Sequence, residues 1–175
     1  MRNSTEKNSG SNRATRASAL TLAEALIASI ILTMSVVAVS AALTAGMQQT
    51  YEAVMTEHAA ELVAAMLDEV LAHPYDDPDG ASALGPEAGE TSRTLFDNVD
   101  DYHGYTEATG ALVDAAGTAY PSEYAIYDRS VTVVASTIQP AGFAQAVTGL
   151  TVTVDVNSAA RQLATASRFV ADPTP

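Results

Sequence analysis

The sequence predicts an α+β fold: a long N-terminal helix whose second half packs on a small antiparallel sheet of about three strands. Three observations carry this expectation. Residues 25–47 read ALIASIILTMSVVAVSAALTAGM, without a charged residue or a proline. Tyr51, Met55, Ala59, Leu62, Met66 and Val70 then recur at helical spacing, with Val63, Leu67 and Leu71 widening the stripe. Near the C-terminus, VTGLTVTVDV at residues 147–156 alternates apolar and polar side chains, the period of a half-buried strand.

The helix comes first. The uncharged run is long enough to cross a bilayer core, which needs about 20 apolar residues at ~1.5 Å rise each. Beyond it, Glu52, Glu57, Glu61 and Asp68 lie mainly off the apolar stripe, so the stripe is core rather than a cofactor box. Pro74 ends the helix, because the residue before a proline disfavours helical geometry. His73 is then expected in the last turn, where a cation suits the helix dipole. The small residues Ala28, Ser29, Ser35, Ala38, Ala41 and Ala42 permit close helix approach in lipid.

Charge orients the chain. It carries 8 basic and 21 acidic residues, a formal net charge of −13. Arg2, Lys7, Arg13 and Arg16 precede the apolar run. The positive-inside rule therefore keeps residues 1–19 cytoplasmic and places the C-terminal domain outside. The remaining acidic surface repels DNA and anionic lipid headgroups, so no nucleic-acid partner is expected. With no cysteine, disulfide and thiol chemistry are excluded. A secretory signal peptide is one alternative for the N-terminus, but its apolar region spans only ~7–15 residues. An uncleaved single-span anchor is another; it explains the run but not the residues just ahead of it.

Those residues are Ala19, Leu20, Thr21, Leu22, Ala23 and Glu24. They resemble the N-terminus of type IV pilins and type II secretion pseudopilins. In that family a basic leader precedes a small residue, usually Gly, then an aromatic or apolar residue, Thr, Leu, an apolar residue and Glu. Here Ala19 stands for Gly and Leu20 for Phe. The resemblance implies cleavage between Ala19 and Leu20 by a membrane prepilin peptidase, slowed by Ala19, and N-methylation at Leu20. It also implies that Glu24, with Thr21 beside it, guides assembly by attracting the free amino terminus of a neighbouring subunit. A carboxylate within a spanning segment is otherwise costly unless paired or near the interface. The implied partners are sibling pilins, the prepilin peptidase and N-methyltransferase, the inner-membrane platform protein, membrane lipid and, indirectly, the assembly ATPase. The implied location is the bacterial inner membrane, as a single-pass protein that enters a filament.

The expected organisation is a leader at 1–19, an assembly helix at 20–47, its amphipathic continuation at 48–73, an acidic connecting loop at 74–123, a sheet region at 124–171 and a tail at 172–175. The loop holds PYDDPDG and FDNVDDYHGY. These phrases resemble a subgroup related to the minor pilins of the mannose-sensitive haemagglutinin pilus. Tyr75, Phe96, Tyr102 and Tyr105 are placed to pin the loop against the helix. Asp76, Asp77, Asp79, Asp97, Asp100 and Asp101, with Glu87 and Glu90, offer the oxygen ligands that calcium favours. An EF-hand does not fit: with Gly80 at loop position 6, Tyr75 and Pro86 fall where carboxylates are required. The leading expectation is a solvated acidic loop held by Asx turns, with calcium the alternative and no other cofactor. His58, His73 and His103 form no close ligand pair; His103 beside Asp101 is expected as a salt-bridged surface residue.

Strands are expected at 127–136, 147–156 and 162–170, the last two joined through Asn157-Ser158-Ala159-Ala160 into a hairpin. Two function classes follow. The first is a structural subunit, a pilin or pseudopilin, with the long acidic loop and few lysines pointing to a minor role. The second is a membrane-anchored extracytoplasmic binding domain that enters no filament. An enzyme is not expected: the sequence shows no phosphate-binding glycine loop, nucleophile-elbow serine or cysteine nucleophile.

Overall fold

The computed structural model describes residues 21–78, 80, 83–142 and 144–173. Ala19 and Leu20, the expected cleavage site, and Asp79 lie outside the described residues. The chain divides into two units, Met1–Met47 and Gln48–Pro175. Helix α1 (Leu22–Val70) is continuous through the division.

In the first unit every described side chain is exposed, from Leu22 at 83% through Ile31, Val37 and Met47. The helix has an 18-residue window of mean hydropathy 2.4. By length and composition it suffices to cross a membrane.

The second unit holds the core. Four strands, β1 (Thr106–Glu107), β2 (Tyr127–Ile138), β3 (Val147–Ser158) and β4 (Arg161–Ala171), lie in the order β1-β2-β3-β4, each antiparallel to its neighbour. Ala59, Leu62, Val63, Met66, Leu67 and Val70 of α1 share one buried cluster with Val131, Val133, Val152, Val154 and Val156. The inward residues of β2 and β3 fall opposite one another, Val131 to Val154 and Val133 to Val152, so alternation along each strand builds one apolar face. The buried stripe of α1 starts later than expected. Tyr51 is 61% exposed, because the sheet ends level with Met55, where the Tyr127 hydroxyl donates to the Met55 carbonyl at 3.2 Å.

The helix closes by tightening. Leu71 N–H still bonds Leu67 O at 2.9 Å, but Ala72 and His73 bond Glu69 O and Val70 O, three residues back. The last regular helical residue is thus Val70 rather than His73.

Four strands replace the expected three. The extra one, β1, lies inside the segment expected to be a connecting loop and is two residues long, too short to carry a period. Backbone just ahead of it extends the pairing: Gly104 N–H bonds Val131 O at 3.1 Å and Val131 N–H bonds Tyr105 O at 2.9 Å. Val133 N–H, next along β2, is taken by His103 Nδ1 at 3.3 Å. His103 therefore caps a strand edge and accepts a backbone hydrogen, rather than being the surface salt-bridge partner of Asp101 that was expected.

The rest of the segment is ordered by aromatic packing and short 3₁₀ turns at Arg93–Leu95, Asp100–Tyr102 and Ser122–Tyr124. Phe96 meets Tyr102 edge to face at 5.1 Å and Tyr105 at 5.9 Å, a favoured aromatic geometry. The β3–β4 hairpin closes on two residues, Ala159 (φ 49°) and Ala160 (φ 63°), the left-handed pair of a type I′ turn. Past it, Val156 pairs with Ala164 but Asn157 with Gln162. Leu163 is the extra residue of a bulge that turns both Leu163 and Ala164 toward the core.

Candidate functional site

Two regions bear on function, one at the start of α1 and one in the second unit. At the helix start, Thr21 and Glu24 cap each other. Glu24 Oε2 accepts from Thr21 N–H at 2.7 Å and from the Thr21 hydroxyl at 3.0 Å, while Thr21 Oγ1 accepts from Glu24 N–H at 3.2 Å. This is a reciprocal capping box. It satisfies otherwise orphaned donors at the first turn and places the one carboxylate beside an uncharged, fully exposed span.

The second unit contains a sheltered chain of alternating charge, Glu69–Arg93–Glu107–Arg129. Arg93 forks onto Glu69, with Nε to Oε1 and Nη2 to Oε2 both at 2.5 Å, and sends Nη1 to Glu107 Oε1 at 2.8 Å. Arg129 meets Glu107 Oε2 through Nε at 2.7 Å and through Nη2. Arg129 also bonds backbone, Nη1 to Leu62 O at 3.1 Å and Nη2 to Val113 O at 3.0 Å, and Arg93 Nη1 shares the Val113 carbonyl at 3.2 Å. Arg129 is 2% exposed. Its partner is fixed by register, since Glu107 on β1 stands directly opposite Arg129 on β2.

Two aromatic hydroxyls extend the chain. Tyr102 donates to Glu69 Oε1 at 3.0 Å, so its oxygen accepts from His73 Nε2 at 3.1 Å. Burial, then the charge of Glu69 and its hydrogen bond, raise the Tyr102 hydroxyl well above the usual tyrosine range. Burial works against the charge on Arg93, yet the Glu69 and Tyr105 contacts outweigh it and raise its proton affinity. Each charge is paired and the network sums to neutral. It binds the end of α1, a 3₁₀ turn, β1 and β2, leaving no carboxylate free for acid–base chemistry. Sequence reasoning missed it. One signal was present: Arg129 sits in phase with the inward positions 127, 131 and 133, and an arginine there requires a buried acid.

Of the expected calcium residues, Asp101 lies with Glu87 and Glu90, and Asp77 and Asp100 are within electrostatic reach of that group. Asp76 is exposed, and Asp77 closes a turn, its Oδ1 and its carbonyl both accepting from Gly80 N–H, at 3.2 and 3.1 Å. Asp97 and Asn98 donate their N–H groups to Asp101 Oδ2 at 2.8 and 3.1 Å, while Asn98 Oδ1 takes those of Asp100 and Asp101. Burial and then the Asp101 carboxylate push Asp100 up. Asp101 faces Glu87 and Glu90, residues of a neighbouring turn. Glu90 beside it, then burial, then Asp77 and Asp101 push the Glu87 carboxyl up to about 7.

Comparison with protein-family models, with curated proteins and with solved structures finds no match to this chain.

Proposed function

We propose that the chain is a structural subunit of a type IV pilus or type II secretion pseudopilus, a minor one, assembled through its N-terminal helix after prepilin cleavage. The observation that carries this reading is the start of α1: an exposed span without charge, opening on a single carboxylate at Glu24. An apolar surface of this length requires lipid or other helices around it, and the resemblance of residues 19–24 to the prepilin motif supplies the assembly role. In this reading Ala19 and Leu20 flank the cut, Leu20 becomes the methylated amino terminus, and Glu24 receives the amino group of a neighbouring subunit. The basic leader stays cytoplasmic and the acidic domain lies outside the inner membrane. The chain does no catalysis; the peptidase acts on it.

The capping box favours a second reading, a single-pass anchored domain that enters no filament. Thr21 alone gives Glu24 a local purpose. Glu24→Gln separates the two, because glutamine also closes a capping box but carries no charge. Filament incorporation is expected to fall by more than about tenfold, as loss of one member of a desolvated charge pair does, with membrane anchoring unchanged. Unaltered incorporation sinks the assembly role of Glu24. The mass of the N-terminus in protein from its native membrane tests processing itself: the subunit reading expects a start at Leu20, methylated. An intact leader favours the anchored domain.

A further inference from the structure

We propose that Glu87, Glu90 and Asp101 form a binding site for a hard divalent cation of calcium size, which clips the 85–90 turn to the 3₁₀ turn Asp100–Tyr102. One carboxylate oxygen from each residue lies within 4.8 Å of the other two. Two ligand oxygens on opposite sides of calcium, at 2.3–2.6 Å each, stand about 4.6–5.2 Å apart. Each pair therefore lies within the span that one ion bridges, small side-chain adjustments bring all three into ligand range, and all-oxygen ligation selects a hard cation over zinc or copper.

A second observation is independent of this clustering. Asp101 is fully buried. Its Oδ2 is committed to the Asp97 and Asn98 N–H groups, whereas its Oδ1 is buried without a hydrogen-bond partner. A carboxylate oxygen withdrawn from water is strongly disfavoured unless a cation, or a proton shared with a neighbouring carboxyl, meets it. Among the described residues no basic side chain forms an ion pair with Asp101: Arg93 and Arg129 pair with Glu69 and Glu107, and Arg161 and Arg168 are exposed on β4. Solvated acids such as Asp76 present no such orphan.

The turn carrying the other two ligands is already folded for the role. Glu87 N–H bonds Glu90 Oε2 at 2.9 Å and Glu90 N–H bonds Glu87 O at 3.1 Å. These bonds bring the two glutamates to one side and leave Glu90 Oε1 outside that bond. Backbone carbonyls or water complete the six to eight oxygens that calcium takes. The site fastens an exposed acidic turn to the turn that delivers Tyr102 into the core, and it stands whether or not the chain assembles into filaments.

The test uses the full-length chain in detergent micelles, stripped with EDTA, dialysed and titrated with calcium chloride by calorimetry and thermal melting. Saturable binding is expected with Kd of about 10⁻⁵–10⁻³ M, and Tm rises by about 7–10 °C at 100-fold excess over Kd. The Glu87→Gln, Glu90→Gln double variant is expected to melt like the wild type in EDTA and to lose binding by more than about tenfold, on the scale of removing ligand charge. Asp101→Asn keeps a carbonyl oxygen for both backbone donors and is expected to lose binding as well. Absence of saturable heat and of any Tm shift overturns the site. So does wild-type affinity in the Glu87→Gln, Glu90→Gln variant, which places the ion elsewhere.

Discussion

Arg129 shows how one side chain can set the interior of this domain. It occupies an inward position of β2 between Tyr127 and Val131, and its guanidinium reaches Glu107, Val113 O and Leu62 O. A buried pair of this kind adds little net stability over a hydrophobic replacement, but removing one member is severe. Arg129→Ala is therefore expected to lower unfolding free energy by about 3–5 kcal/mol, because it leaves Glu107 with one guanidinium and removes one donor each from the Leu62 and Val113 carbonyls. Chemical denaturation of the variant measures it. The Arg129→Met, Glu107→Leu double variant is expected to lose less than the sum of the two single changes, since no charge is then buried unpaired between β1 and β2. A double-mutant cycle that comes out additive removes the coupling. The pair also explains why a strand of two residues persists: β1 is held at its side chain as well as its ladder.

At the scale of elements, the β3–β4 hairpin holds strain at one end and a tight contact at the other. Ala159 and Ala160 adopt left-handed conformations that an L-residue reaches at a cost of about 1–2 kcal/mol. Ala160→Gly is expected to raise stability by about 1 kcal/mol, net of the entropy glycine adds to the unfolded chain. An unchanged or lowered denaturation midpoint contradicts this account of the turn. At the far end, Gly149 lies beneath the Phe169 ring, where an added Cβ meets Phe169 Cζ at 2.7 Å and also runs into the Val170 carbonyl. Gly149→Ala is expected to destabilise by about 1–3 kcal/mol, since backbone rather than a flexible side chain must give way. The long helix meets two environments along one element: full exposure through Met47, then the first buried residue at Ala59. The amphipathic stripe was legible because packing on a sheet needs a helical period; its starting point was not, because that depends on where β2 begins, at Tyr127.

For the whole molecule, every buried residue among those described belongs to the second unit. A chain beginning at Gln48 is expected to fold by itself, remain soluble and melt cooperatively. Far-UV circular dichroism with a thermal scan checks this, and a non-cooperative melt contradicts it. The acidic balance, 21 carboxylates against 8 basic groups, favours solubility of such a fragment.

Read alone, the sequence determined the elements that have a repeat. The uncharged run, the helical stripe and the strands at 127–136, 147–156 and 162–170 each announce themselves by a period that burial or lipid imposes. The structural strands extend these by one or two residues at some ends. The Thr21–Glu24 cap was not read from the sequence, although a threonine three residues before a glutamate fits a capping box. Tertiary structure decided everything that rests on residues far apart in the chain. It made Glu107 the partner of Arg129, turned His103 onto Val133 N–H, added β1 as a fourth strand, and gathered Glu87 and Glu90 around Asp101. The physical reason is range. A period records what each position faces, core, lipid or water, but a buried charge is neutralised by whichever group the completed fold brings near, and sequence separation carries no trace of that encounter.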